Sequence, residues 1–345
     1  MSTEHNISED LRAEHKVKGL LLVDDADSID KTSSSENVSH HEENPKLSKN
    51  LYDLSIYPDS EKVIELVQRR VDDIPDLSRF KDLLNVCFRS NLLVSINDNL
   101  SGLPLLTELE LYDNQISEIR GLDKLVNLKF LDFSYNRIQK IQGLSSLVNL
   151  TKLYLVHNRI EVIEGIENLT KLELLELGDN RIKRLQNLNH LSCLEELYLG
   201  KNKIQKIENL NELTHLRILN VPGNRLTKLE NLDTLTQLEE LHVSDQGLES
   251  LEGIAALSNL KIIDAGQNFI ASLDNLDHLK VLEDLWLNNN KIASWNEVEK
   301  LSKLPALQTV YLEQNPIEEE DRSGYRRKVM LRLGQVSQID ANTCR

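Results

Sequence analysis

Apolar residues recur along this chain with two periods at once. Pairs of leucines or their near equivalents stand one residue apart, as at Leu109 and Leu111 or Leu197 and Leu199, and the pairs return about every 22 residues. Alternation of this kind marks a short strand with both apolar side chains on one side. Beyond each pair the spacing changes to three, as at Ile116, Ile119, Leu122 and Leu125, which a tight 3-10-like turn requires. Between the two patterns lies an asparagine: Asn114, Asn136, Asn158, Asn180, Asn202, Asn224, Asn268 and Asn290 share a ruler of 22 residues, and Asn91, Gln246 and Asn315 extend the series to eleven units. Repeated strands and turns of fixed length stack into a solenoid, each unit burying its apolar side against its neighbours.

The block Leu-x-x-Leu-x-Leu-x-x-Asn is that of a leucine-rich repeat. The fold expected is an α/β solenoid of about eleven 22-residue repeats, with a parallel concave sheet and a tight convex side. Each asparagine reads as structural, because its side chain carries two donors and an acceptor that can satisfy backbone groups left unpaired between coils. Gln246 lengthens that side chain by one methylene, and Asp245, Gln246 and Gly247 mark a place where the stack can bend. The interval from Asn290 to Asn315 is 25 residues and contains Leu301, Leu304 and Pro305, so a more helical convex segment is expected there.

The ends need separate treatment. Residues 1–50 are rich in Ser, Asn, Asp and Glu and hold too few apolar residues to offset the entropy of ordering a backbone, so they read as a disordered acidic tail. His40 and His41 lie there without further ligands at useful spacing, and no metal or cofactor is expected. Residues 51–80 are read as an N-terminal helical cap. Pro58, Asp59 and Ser60 make a plausible helix start, and Val63, Ile64, Val67 and Val71 fall on one helical face, as if a helix replaced the strand of half a repeat. The repeats occupy 81–317. Residues 318–345 are read as the C-terminal cap, with Tyr325, Arg326, Arg327 and Lys328 on a helix and a short returning strand through Ile339, covering the sheet edge and the last leucines.

Charge changes the picture outside the core. The formal net charge is -16 and the pI about 5.1, which opposes nonspecific phosphate binding, so nucleic acid is not an expected main partner. The three cysteines Cys87, Cys193 and Cys344 are far apart and odd in number, a usage that fits a reducing compartment. The early apolar run at 20–23 is too short to span a bilayer, and no basic then apolar leader precedes it. The expected setting is the nucleus and cytoplasm, with no membrane partner and a monomer when alone.

The outward strand positions, six, four and two residues before each asparagine, carry the candidate chemistry. Nine acids stand there (Glu108, Glu110, Asp132, Glu176, Glu196, Glu240, Asp264, Asp284 and Glu313) against two bases, Arg89 and Lys152. Six of the chain's fifteen aromatics share these columns, including Tyr154, Tyr198, Trp286 and Tyr311. The middle column runs Glu110, Asp132, Tyr154, Glu176, Tyr198, Asn220, His242, Asp264, Trp286, Tyr311, an acid or aromatic at eight of ten places. At a strand spacing of roughly 4.8 Å such a ridge extends about 40 Å, long enough for a folded protein and far longer than a small substrate needs. Small residues beside it, among them Ser134, Gly178 and Gly200, leave it open. The face is read as a protein-docking surface with aromatic anchors and acids that select a basic partner. A second stripe, Arg137, Arg159, Arg181, Lys203, Arg225 and Lys291, reads as a solvated charged edge rather than a nucleic-acid track.

Enzyme signatures are absent from the sequence: it has no Gly-rich phosphate loop, no ligand-spaced Cys or His cluster and no nucleophile elbow. Glu108 and Glu110 lie close enough to suggest a hydrolase dyad, but nothing in the sequence separates their pKa values. A binding protein is expected.

The 22-residue repeats, the terminal Tyr325 to Lys328 segment with Ile339, Asp340 and Ala341, and above all Asp284, Trp286, Trp295, Tyr311 and Glu313 resemble the leucine-rich-repeat regulatory subunit of type-1 serine/threonine protein phosphatase, over roughly residues 70–341. The resemblance implies binding of the phosphatase catalytic subunit through the concave face and modulation of its activity or maturation, including in mitosis, with room for a third regulatory protein. The residues it implicates are Asp132, Tyr154, Glu176, Tyr198, Asp264, Asp284, Trp286 and Tyr311. His242 and Asn220 depart from the acid-or-aromatic column. Many phosphatase regulators carry a basic residue followed by Val-x-Phe. Here Lys129 precedes Leu131 and Phe133, whose side chains face inward, so docking is expected on the folded face. A scaffold of the same repeat class for a spliceosomal or cytoskeletal partner is the alternative.

Overall fold

The computed structural model describes residues 51–344. The expected tail at 1–50, with His40 and His41, lies outside them. The repeat pattern becomes twelve parallel three-residue strands: β1 (Val63–Glu65), β2 (Asn85–Cys87), β3 (Glu108–Glu110), β4 (Phe130–Asp132), β5 (Lys152–Tyr154) and β6 (Leu174–Glu176) are followed by β7 (Glu196–Tyr198), β8 (Ile218–Asn220), β9 (Glu240–His242), β10 (Ile262–Asp264), β11 (Asp284–Trp286) and β12 (Thr309–Tyr311). They stand in sequence order in one sheet. The middle residue of each strand and the residue after its last turn inward, as Leu109 and Leu111 do, and the core is one continuous stack of such side chains. Behind it, carbonyls accept from amides three residues on, as from Leu125 to Leu122 and from Leu128 to Leu125 at 2.9 and 3.0 Å, which gives the three-residue stagger its tight turns.

The asparagine ladder works as its chemistry suggests. In Asn180 the side-chain oxygen accepts from the Ile160 amide of the preceding coil, while its NH2 donates to the carbonyls of Leu155, Leu177 and Gly178. Gln246 keeps both bonds to the coil before it, accepting from Leu226 N at 2.9 Å and donating to Val221 O at 2.5 Å. No bend results in the strand register, since β8, β9 and β10 pair residue for residue. The methylene is absorbed by reaching across to the neighbouring coil.

The N-terminal expectation is corrected. No helix runs from Pro58 to Val71; that segment holds β1, paired in parallel with β2. Ile64 and Leu66 are buried whereas Val63 and Val67 are exposed, so the operative period is two. Counting 22 back from Asn91 lands on Arg69, whose amide donates to the Asn91 side chain, so the first coil is a repeat with a strand but without its own asparagine. The staggered Val71, Ile74, Leu77 and Phe80 are buried as in every other coil.

The long coil after Asn290 contains helix α1 (Trp295–Lys300), capped by the Ser294 side chain, and a 3-10 turn at Leu301–Lys303. Helices α2 (Pro316–Glu319) and α3 (Tyr325–Arg332) then lead to β13 (Gln338–Ile339), parallel to β12, and β14 (Asn342–Thr343), antiparallel to β13. Asp340 ends the ladder in place of an asparagine: its Oδ1 accepts from the amides of Leu312 and Glu313 and from the Tyr325 hydroxyl. Among the described residues no helix is long and apolar enough to cross a membrane.

Candidate protein-docking face

Because every strand is in register, residues of one column are direct Cα partners. Asp132 pairs with Tyr154, Tyr154 with Glu176 and Glu176 with Tyr198; the line continues through Asn220, His242 and Asp264 to Trp286 and Tyr311. Seven of the eight residues singled out from the sequence therefore lie on one uninterrupted line. The eighth, Asp284, stands two residues before Trp286 on β11 with its Cα opposite Ile262 and Thr309.

Their exposure is less uniform than expected. Tyr154, Glu176, Tyr198, Asp264, Asp284, Trp286 and Tyr311 are half-buried, but Asp132 is only 5% exposed and Ser134 only 3%. The expectation of an open ridge fails at these two residues and at His242, 8% exposed; the Asp132 carboxylate turns back to accept from the Ser134 amide at 2.7 Å. Asp132 therefore presents little accessible surface on this face.

Packing like charges on one face shifts their proton equilibria. Burial, reinforced by the carboxylates of Asp132 and Glu196, pushes Glu176 up to about 7. Glu110 is raised by burial and then by Asp132. Tyr198 is raised by burial and donates its hydroxyl to Glu196 at 2.7 Å. The Cys87 thiol, which donates to Glu110, is pushed up to about 12 by burial and is therefore no ready nucleophile.

His242, read from the sequence as a gap in the column, is a junction. Its Nε2 lies 3.3 Å from a Glu240 oxygen and its Nδ1 3.9 Å from Asp264. Burial alone would drive its proton off, but Asp264 and Glu240 outweigh that and hold its pKa at about 9. The imidazole meets the Trp286 ring edge-on at 6.3 Å, and Trp286 in turn meets Tyr311 at 5.9 Å. The indole Nε1 of Trp286 is buried and, among the described residues, has no hydrogen-bond partner. The sequence signal for this junction was Glu240 two residues before His242, with Asp264 on the next ruler mark.

Trp295 belongs elsewhere. It packs beside Tyr325 and under the cations of Lys328 and Arg332, fastening α3 to the last full coil. It contributes to the C-terminal cap rather than to the strand face.

Models of known families match in two tracts. The family described as leucine-rich repeat matches residues 214–345, and leucine-rich repeats in two copies match successive windows from 104–146 to 170–212. The chain belongs to the leucine-rich-repeat proteins. Among curated relatives, this leucine-rich-repeat protein is 50% identical over 75 residues to a "Protein phosphatase 1 regulatory subunit SDS22 homolog" of Caenorhabditis elegans, covering 22% of this chain and 23% of the relative. It is 39% identical over 90 residues to "Protein phosphatase 1 regulatory subunit SDS22" of Saccharomyces cerevisiae, covering 25% and 26%. The matched stretches thus span about a quarter of these relatives, and the names agree with the resemblance drawn from the residues. Among solved structures, an internalin of Listeria monocytogenes superposes with a TM-score of 0.66 at 24% identity, over 83% of this chain and 88% of that one, a likeness of fold alone.

Proposed function

We propose that this leucine-rich-repeat protein is a non-catalytic regulatory subunit whose strand face binds the catalytic subunit of type-1 serine/threonine protein phosphatase and modulates its activity or maturation, including in mitosis, in the nucleus and cytoplasm. The observation that carries the reading is the in-register line from Asp132 to Tyr311, which joins acids, half-buried tyrosines and the Trp286 anchor on one face. Its acids suit a basic patch on the partner, and the paired Trp286 and Tyr311 rings have the composition of an interface hot spot. The relatives named as phosphatase regulatory subunits support the choice of partner.

Mixing the purified chain with the catalytic subunit, then measuring complex formation and phosphatase activity, tests the reading. Stable association that is lost with Trp286→Ala and Tyr311→Ala supports it. A wild-type chain that fails to bind, or a double variant that binds as well as wild type, overturns it.

A further inference from the structure

The chain carries a net charge of -16, yet one edge of the solenoid is cationic over five consecutive coils. Arg137, Arg159, Arg181, Lys203 and Arg225 each directly follow the ladder residue of their coil, so the stack brings them into one file. Lys203 is half-buried and the four arginines are exposed. Among the described residues none of the five has an ion pair, whereas cations of the convex side reach an acid one coil away, as Lys140 reaches Glu164, Arg184 reaches Glu208 and Lys206 reaches Glu230.

Two further observations give this edge the form of a site. The first three arginines line a groove of ≈ 470 Å³ together with Tyr135, His157 and Asp179. The Tyr135 and His157 rings stack at 4.8 Å, nearly parallel at 19°, and the His157 Nδ1 is 2.5 Å from Asp179. Both rings stand on left-handed backbone, φ 56° and 52°, at the turn leaving the strand, so their stems are fixed by the coil. The groove thus has an aromatic wall beside a row of guanidinium groups that, among the described residues, form no ion pair, although Asp113 and Asp179 also line it.

We propose that this edge is a second docking surface, distinct from the strand face, and that it takes an extended acidic segment of a partner protein. Four steps between coils at roughly 4.8 Å amount to about 19 Å, the length of about six extended residues. Carboxylates along such a segment meet successive arginines, which bind them as planar forks. A protein segment fits better than nucleic acid. The file is only five cations long, Asp113 and Asp179 border it, and the surrounding molecule is acidic, which repels a long polyphosphate but tolerates a short carboxylate run.

The test is fluorescence anisotropy on the full chain with a labelled peptide of about eight alternating Glu and Ser residues, a Gln and Ser counterpart and a single-stranded oligonucleotide of similar length. The acidic peptide is expected to bind, to weaken by about tenfold when Arg159→Gln and Arg181→Gln are combined, and to weaken as salt is raised. The convex pair Lys140→Gln with Lys183→Gln should leave its affinity unchanged. Equal binding of the Gln peptide, no loss in the Arg159 and Arg181 variant, or an equal loss in the convex variant overturns the proposal. Tighter binding of the oligonucleotide than of the acidic peptide also overturns it and assigns the edge to nucleic acid.

Discussion

The rings of Trp286 and Tyr311 meet edge to face at 5.9 Å across β11 and β12, each opposite the other in the strand register. Such pairing adds roughly 0.5–1.5 kcal/mol to the area the rings bury, and it holds both in place before any partner arrives. A pre-positioned aromatic pair at one end of an acidic line is the arrangement from which a few residues dominate an interface.

Trp286→Ala should therefore weaken the complex with the phosphatase catalytic subunit by at least about 2 kcal/mol, or roughly thirtyfold in Kd, read by titration calorimetry. The Trp295→Ala variant should leave affinity close to wild type and lower thermal stability instead, because that ring holds α3 to the solenoid. Equal losses of affinity from the two tryptophans would remove the distinction between face and cap.

Most of this architecture was legible because a 22-residue period fixes at once which side chains turn inward and which columns line up. Leu109, Asn114 and Ile116 each imply the rest of their coil. The first coil was misread because Val63, Ile64, Val67 and Val71 satisfy a helical period while Ile64 and Leu66 satisfy a strand period. The ruler counted back from Asn91 favours the strand, but Arg69 on that mark hides it. The burial of Asp132 was not legible, since it depends on where a carboxylate turns once its column is built. The junction of His242, Glu240, Asp264 and Trp286 left a sequence signal in its ruler spacing, but the ring contact of His242 with Trp286 emerges only from the packing of three strands.

The ladder gives a stability prediction of two signs. Asn180→Ala deletes one bond accepted and three donated and leaves buried backbone groups of two coils unpaired, a loss of about 3 kcal/mol or more. Gln246 makes the two bonds to the preceding coil. Gln246→Asn, which restores the shorter side chain and the bonds to its own coil, should stabilise by about 1 kcal/mol. Urea unfolding of both variants checks this, and destabilisation by Gln246→Asn would show that the glutamine is tailored to its coil.

Glu176 sets a pH dependence below neutrality. Its folded-state pKa is pushed up to about 7 from the ordinary 4.5, by burial first and then by Asp132 and Glu196. Between those values the unfolded chain releases the proton while the folded chain keeps it, so stability falls as pH rises from about 4.5 to about 7. Glu176→Gln should remove on the order of 2 kcal/mol of that fall, seen by comparing urea midpoints at the ends of the window. Parallel curves for wild type and variant would mean that folding leaves the carboxyl's proton equilibrium unchanged.

His242 produces a fall in a different window. Burial works against its charged form, but Asp264 and Glu240 prevail, so the folded-state pKa lies at about 9 against an ordinary 6.5. The stabilisation is fully present below pH 6.5 and is lost as pH rises through 9. Across neutrality the imidazolium stays charged beside Trp286, offsetting part of the negative charge where the line of acids meets the aromatic pair. Following the His242 ring by NMR should give a midpoint near 9. Glu240→Gln, which keeps the shape and removes one charge, should lower that midpoint, and His242→Gln should abolish the stability lost between pH 6.5 and 9. A wild-type midpoint at or below 6.5 would mean that burial outweighs the two carboxylates and that the strand face is more negative around Trp286 than this geometry implies.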